Sequence, residues 1–328
     1  LIKPIARYGI KSLDITSRIL PSFMRNRIVR MVKSSMPSVA KVYGSPTSEP
    51  HQVVAADQSE ADLLHQQLFA QIIATHAPTY DVYLFPVIDW HFRIQRPQNL
   101  AKELARKGAR VFYFTTTFMD IIPTRKYTIL ESPAENVYVI QLHCSVPKPS
   151  IYTELPSVEQ RRSIIDSLHA LYQDINNNQH CLSIVNLPFW GDVAGSLPGA
   201  TMIYDCMDYH AGFETNSQEM LDAEDALIQK ADMVVTTSQK LSDIVSEVAP
   251  NIVIRNAAEI NYFKTEPAIR AYISERPVIG YYGAISTWFD MELVIKAARH
   301  YPEYDFVLVG STFGCDTSEA ESIENIHF

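Results

Sequence analysis

The sequence has no run of about 18 apolar residues, so it contains no helix of membrane-spanning type. Its four cysteines, Cys144, Cys181, Cys206 and Cys315, lie far apart and form no Cys-x-x-Cys pair. That argues against a disulfide framework and against a paired-cysteine redox or zinc site, and leaves buried free thiols in a reducing compartment as the expectation. No Gly-x-Gly-x-x-Gly follows the first strand-like run, so the dinucleotide-binding fingerprint is missing there. The absence of a Walker loop and of Gly-x-Ser-x-Gly ranks P-loop chemistry and nucleophilic hydrolysis low. With no His-Glu-x-x-His or similarly tight ligand spacing, no metal is expected. No N-terminal signal-peptide pattern is visible. The chain starts at Leu1 and ends inside a strand-like run at Phe328, so both ends are expected to be cuts in a longer protein.

What remains is an ordinary globular composition: 328 residues, 47% hydrophobic and 20% charged, enough for about two domains. The net charge of −9 argues against general nucleic-acid binding. The charge is uneven. Residues 1–50 hold 9 Lys/Arg against 2 Asp/Glu, a local +7, and the remaining residues hold 19 against 35, a local −16. This reads as a basic arm on an acidic body. Within the arm, Phe23, Met24, Ile28, Val29, Met31 and Val32 form a broad apolar side interleaved with basic residues. Such a helix could pack on its own protein, or lie on an anionic membrane surface through residues 1–43. Residues 44–60 read as a linker and 61–75 as a short helix.

From residue 79 the pattern alternates. Strand-like runs at 82–88, 111–115, 137–140, 182–185, 202–205, 233–236 and 252–254 are separated by helical spacing at 97–107, 157–173, 217–230 and 239–248. Near-continuous apolar strands imply a parallel sheet covered on both faces. After a charged, Pro-bounded passage at 262–277 a second β-α-β unit begins, with strands at 278–283 and 306–310 and a helix at 288–299. The predicted fold class is α/β, with doubly wound parallel sheets. A basic arm and linker fill 1–60, a first domain 61–262, and an incomplete second domain 263–328.

Ligands of such sheets sit beyond the carboxyl ends of the strands, so the strand-to-helix turns hold the candidate residues. In the first turn Trp90 could stack on a sugar or base, and Arg93 and Arg96 could fork onto phosphate or carboxylate. The second places Asp205, Asp208, Tyr209 and His210 just after a strand. Asp208 and His210 are the candidates for proton transfer or for contacting a hydroxyl-rich ligand. The third runs from Gly280 through Tyr282, Gly283, Thr287 and Trp288 to Asp290. Thr287 and Asp290 match a capping box, and the exposed amides of a helix start suit a diphosphate. In the fourth, Arg255 and Asn256 could face a cleft and Phe263 reads as core.

The order of these pieces resembles the GT-B glycosyltransferases, and among them the family 4-like enzymes of bacterial polysaccharide synthesis. The resemblance is carried by WHFRIQRP (90–97), YDCMDYHAGF (204–213), the Ala-Asp-x-Val-Val-x-x-Ser stretch at 231–238, Arg255-Asn256 with Phe263, GYYGAISTWFD (280–290) and Asn325 to Phe328. It covers about residues 80–328. It implies two Rossmann-like domains facing a cleft, the first on the acceptor side and the second binding a nucleotide-sugar donor. Sugar transfer would proceed with retention and with no cofactor or required metal. Catalysis would fall to Asp208 and His210. Acceptor or cleft contacts would come from Trp90, Arg93, Arg96 and Tyr209, and donor contacts from Arg255, Asn256, Gly280, Tyr282, Gly283, Thr287, Trp288 and Asp290. The implied partners are a nucleotide sugar and a glycan or lipid-linked acceptor, in the cytoplasm or at the inner face of the plasma membrane, with no nucleic acid.

Three departures stand against this pattern. Ala284 and Phe289 occupy the loop where the family often has Arg and Lys. The hinge motif reads Asn256-Ala257-Ala258-Glu259. The late Glu-containing donor motif would fall beyond Phe328, so the 328 residues are not expected to catalyse alone. The loss of the cationic pair favours a second reading, a non-catalytic GT-B-like module that binds glycan or a partner. A nucleotide-sugar epimerase is a third, for which no decisive acid–base pair is seen.

Overall fold

The computed structural model describes residues 55–74, 80–175, 180–213, 216–260, 264, 274–286, 288–312 and 314–328. The basic arm, Thr287 and Phe263 lie outside the described residues. These residues fall into two compact units, a larger one ending at Ala257 and a smaller one running from Ala258 to Phe328.

The larger unit opens with α1 (Ala55–Ala74), so the helix begins inside the stretch read as linker. Ala55, Ala56, Glu60 and Ala61 are strong helix formers, which outweighs the linker-like look of the segment. The parallel strands then follow the predicted alternation: β1 (Tyr80–Phe85), β2 (Ala109–Phe114), β5 (Val137–Cys144), β6 (Cys181–Val185), β7 (Thr201–Cys206), β8 (Met233–Thr236) and β9 (Asn251–Val253). Their order in the sheet is β5-β2-β1-β6-β7-β8-β9. Counted among these parallel strands alone, this extends the Rossmann 3-2-1-4-5-6 order by one strand. The order reverses between β1 and β6, which pair directly with Tyr83 opposite Ser183. A crevice at that switch point is where a ligand belongs in such sheets.

Two strands were not anticipated. β3 (Met119–Asp120) pairs parallel to the end of β5, and β4 (Tyr127–Ala134) runs antiparallel along β5. The nine-stranded sheet is therefore mixed at one edge, not wholly parallel. The hairpin between β4 and β5 turns at Asn136, whose φ is 59°, a conformation that asparagine tolerates better than most residues. Pro133 within β4 removes one backbone donor, which an edge strand can spare.

Alternation along the strands covers both faces. Tyr83, Phe85, Phe112, Phe114, Tyr138 and Tyr204 join one core, packed by Leu68 and Ile72 of α1, by Leu168 and Leu171 of α3 (Val158–Ile175), and by Leu227 and Ile228 of α5 (Gln218–Lys230). Val82, Leu84, Val111, Tyr113 and Ile184 join a second core, packed by Ala101 and Ala105 of α2 (Arg96–Arg106). Gly108 ends α2 at φ 93°, which a residue with a Cβ rarely adopts. A four-residue helix, α4 (Gly191–Ala194), and α6 (Gln239–Val245) complete the crossovers. Cys144, Cys181 and Cys206 are buried free thiols, and Cys315 is partly exposed.

The smaller unit holds a parallel three-stranded sheet in the order β10-β11-β12, from β10 (Val278–Tyr282), β11 (Asp305–Val309) and β12 (Ile326–His327). α7 (Met291–His300) and the short α8 (Ser318–Glu321) pack with it around Ile285, Ile295, Phe306, Leu308 and Ile326. Buried Asn325 donates from Nδ2 to the carbonyls of Ala298 (3.0 Å), Tyr301 (3.3 Å) and Tyr304 (2.9 Å), fixing the end of α7. Among the described residues no helix is long and apolar enough to cross a membrane.

At the far end of the large sheet, Arg110 and Asp81 form a buried ion pair. Nε donates to Oδ1 at 2.8 Å and Nη2 to Oδ2 at 2.9 Å, while the same guanidinium donates to the carbonyls of Ile72 (3.1 Å) and Ile175 (3.0 Å). One side chain thus ties the starts of β1 and β2 to the ends of α1 and α3. Arg110→Met leaves Asp81 charged and buried, and is expected to lower the unfolding free energy by about 3–5 kcal/mol in urea titrations. Replacing Asp81 by Leu in the same chain should restore most of that loss.

Candidate functional site

The carboxyl ends of the larger unit's parallel strands bring three of the singled-out turns together, those after β1, β7 and β9, and their centre is Arg96. Its guanidinium forks onto Asp205. Nε lies 3.0 and 2.8 Å from the two carboxylate oxygens, and Nη2 lies 2.8 Å from Oδ1. Nη1 donates to the carbonyl of Ile254 at 2.9 Å, and it reaches the Arg255 carbonyl (3.4 Å) and Asn256 Oδ1 (3.5 Å). Asn186, directly after β6, donates from Nδ2 to Asp205 Oδ2 at 3.1 Å. The two charged side chains are only 9% and 3% exposed. The fork that the sequence offered to a ligand is therefore spent within the protein. Arg96 joins the exits of β1, β6, β7 and β9, and is a clamp of the site instead of a phosphate hand.

Trp90 also departs from its predicted role. Its indole is buried in the second core, edge-on to Tyr113 with ring centres 5.0 Å apart. The turn after β1 folds back because Gln98, fully buried, uses one amide group to hold three carbonyls: Asp89 (3.2 Å), Trp90 (3.2 Å) and Arg93 (2.7 Å). Asp89 in turn accepts from Thr116 N (2.7 Å) and Thr116 Oγ1 (2.8 Å). The turn leaves Arg93 exposed, with its guanidinium 4.9 Å from the Phe92 ring. Asn186, Gln98 and Asp205 are the site-building residues that the sequence reading did not give their roles.

The turn after β7 holds the titratable groups. Asp208 is surface-accessible as a residue, yet the protein around its carboxyl raises its pKa above the usual aspartate value. Its carboxyl is placed to accept a proton or a hydrogen bond from a hydroxyl. His210 is 6% exposed, and burial lowers its pKa to about 4, so it is neutral at pH 7. Asn216 Nδ2 donates to the His210 carbonyl (2.8 Å) and faces Nδ1 (3.4 Å), which assigns the ring proton to Nε2. Among the described residues that Nε2 has no hydrogen-bond partner. Tyr209 between them is exposed.

Behind this turn, on the α5 side of β7, Glu224 Oε1 accepts from Tyr204 (2.6 Å) and faces Cys206 Sγ (4.0 Å). Burial raises the Glu224 carboxyl to about 7. Burial, followed by the nearby Glu224, pushes the Cys206 thiol up to about 12. Such a thiol is inert, which leaves no nucleophilic role for it.

In the smaller unit the glycine-containing turn is arranged differently from the expected amide cradle. Gly283 N donates to the Val309 carbonyl (3.0 Å) and Ile285 N to the Ser311 carbonyl (2.9 Å), so both amides are taken. A Cβ on Gly310 would fall 1.7 Å from the Gly283 carbonyl oxygen; only glycine fits there. Gly280 has open space around it, and Tyr282 is 90% exposed. Trp288 is partly exposed and lies before the helix, not at its start. α7 begins at Met291, three residues later than expected, because Asp290 is itself the N-cap, accepting from Leu293 N at 2.9 Å. Thr287, the other half of the expected capping box, lies outside the described residues.

Arg96→Ala should cost about 3–5 kcal/mol in urea unfolding, because it strands Asp205 in a desolvated place. Arg96→Lys should recover only part, since an ammonium cannot fork. For His210, protonation is disfavoured in the folded state, so its contribution to stability is complete above pH 6.5 and is lost as pH falls from 6.5 towards 4. Imidazole NMR should show a midpoint near 4 with the proton on Nε2 at neutral pH. A midpoint at 6.5 would contradict the buried placement.

No protein-family model matches the chain, and no curated protein is significantly similar to it.

Proposed function

We propose that the chain is a glycosyltransferase that moves a sugar from a nucleotide-sugar donor to a glycan or lipid-linked acceptor in surface-polysaccharide synthesis. The observation that carries this reading is the turn after β7. It holds a surface aspartate, an exposed aromatic and a buried, neutral imidazole at the carboxyl ends of a Rossmann-ordered sheet. The Rossmann-like larger unit and the second parallel β-α-β unit that follows it agree with the resemblance to the GT-B enzymes. On this reading the larger unit serves the acceptor and the smaller one the donor. The peripheral membrane placement through residues 1–43 belongs to the same proposal.

The reaction breaks the bond from the anomeric carbon to the diphosphate oxygen and forms a bond to an acceptor hydroxyl, whose proton must leave. Asp208 is the group placed to take that proton. His210, buried and neutral at pH 7, is not the cation. Charge on the departing diphosphate needs donors poised where it develops. Arg96 is committed to Asp205, and the amides of Gly283 and Ile285 are committed to the neighbouring strand. Arg93 and Arg255, both exposed, are the cationic residues of the larger unit's turns left for that work.

The same commitment of Arg96, with Ala284 and Phe289 where the related enzymes often carry cations, favours a second reading as a non-catalytic sugar-binding module. Thermal shift of the full-length protein with UDP-, GDP-, dTDP- and ADP-sugars separates the two. A ligand at 100 times its Kd stabilises by about 2.7 kcal/mol, which raises Tm by several degrees. We expect one nucleotide class to do so, and that class to support transfer to a glycan acceptor. No shift with any of them, in a folded sample, favours the module.

A further inference from the structure

We propose that Tyr209 is a stacking platform for a pyranose ring of the acceptor, and that Gly212 is the residue that sets the angle of the platform. The inference rests on the reading of the larger unit as the acceptor side and names the chemistry that unit recognises. Tyr209 is 48% exposed and stands at the start of the short helical turn His210–Gly212. Gly212 N donates back to the Tyr209 carbonyl at 2.9 Å. The Tyr209 ring lies so close over Gly212 that a Cβ there would fall 2.8 Å from Cδ1 and 3.4 Å from Cε1. The ring therefore rests on bare backbone, with its position set by the absence of a side chain beneath it.

Other aromatics at this end of the sheet are occupied. Trp90 is buried against Tyr113, and Trp190 is fully buried with Nε1 donating to the Pro86 carbonyl at 3.0 Å. The Phe92 ring carries the Arg93 guanidinium, and Tyr152 donates to the Val87 carbonyl at 2.6 Å. Tyr209 keeps an open ring in the turn that also holds the Asp208 carboxyl. A pyranose offers one apolar C–H face to an aromatic ring and a girdle of hydroxyls to an acceptor and a donor. An open ring and a carboxyl in one turn match that chemistry better than they match a nucleobase, whose two flat faces need no carboxylate.

The test is binding without transfer. Methyl α-glucopyranoside, α-mannopyranoside and α-galactopyranoside, with uridine, adenosine and guanosine as controls, are titrated into the full chain with no nucleotide sugar present. Binding is read by saturation-transfer NMR. We expect at least one glycoside to bind. Tyr209→Phe should keep its affinity within about twofold, and Tyr209→Ala should weaken it about tenfold. Gly212→Ala should weaken it several-fold in the natural background and have no effect in the Tyr209→Ala background, since it acts only through the ring. Failure of the folded protein to bind any glycoside overturns the proposal, as does undiminished binding by Tyr209→Ala or binding of nucleosides alone. If Gly212→Ala does not fold, the two Tyr209 variants still decide the platform. Glycoside binding together with no nucleotide-sugar binding and no transfer by the full-length protein overturns the transferase reading and leaves the platform standing. Transfer that ignores Tyr209 does the reverse.

Discussion

A guanidinium and a carboxylate taken together out of water must satisfy each other, and the site depends on that requirement at Arg96 and Asp205. Neither could be buried alone, because an unpaired charge in such a place costs several kcal/mol. Asp205 sits at the end of β7 on the face opposite to Tyr204 and Cys206. Arg96 reaches it from the first residue of α2, 109 residues earlier in the chain. Having met Asp205, the same planar group still has a donor to spend on the carbonyl of Ile254, and Asp205 has a lone pair to take from Asn186. The exits of four strands are located by one fork. Asp208, Tyr209 and His210 follow within five residues of that fixed point, so the turn that carries the chemistry starts from an anchored residue.

Most of the architecture was legible in the sequence because its signals are strong and local. Near-continuous apolar runs separated by helical spacing give parallel strands and crossovers, and Pro97 and Gly108 bracket α2 closely. What escaped was the edge. β4 contains Glu131, Ser132 and Pro133 and has irregular register against β5, so its pattern is neither alternating nor apolar. β3 is two residues long and exists only because β5 offers it a partner. The start of α7 slipped because Thr287 and Asp290 match a capping box with its cap at Thr287, whereas Asp290 is itself the cap.

The residue types of the site were legible, and the roles of several were not. Trp90 and Arg96 occupy the expected turn, yet both face inward, because whether a turn residue meets solvent depends on what the turn folds back upon. Gln98 decides that, and a glutamine in the first turn of a helix reads as a solvated side chain. Its burial is visible only when three carbonyls are seen converging on one amide. Likewise the amides near Gly283 look free in the sequence. Their partners are backbone carbonyls at 309 and 311, about 26 residues later, where no side-chain identity announces them.

Gly310 has a mechanical consequence. With its Cα pressed on the Gly283 carbonyl, and with hydrogen bonds from residues 283 and 285 on either side, the ends of β10 and β11 are laminated into one strip. A side chain at 310 would have to push the Gly283 carbonyl away and part the two strands at their ends, so their pairing there rests on the lack of a single carbon atom.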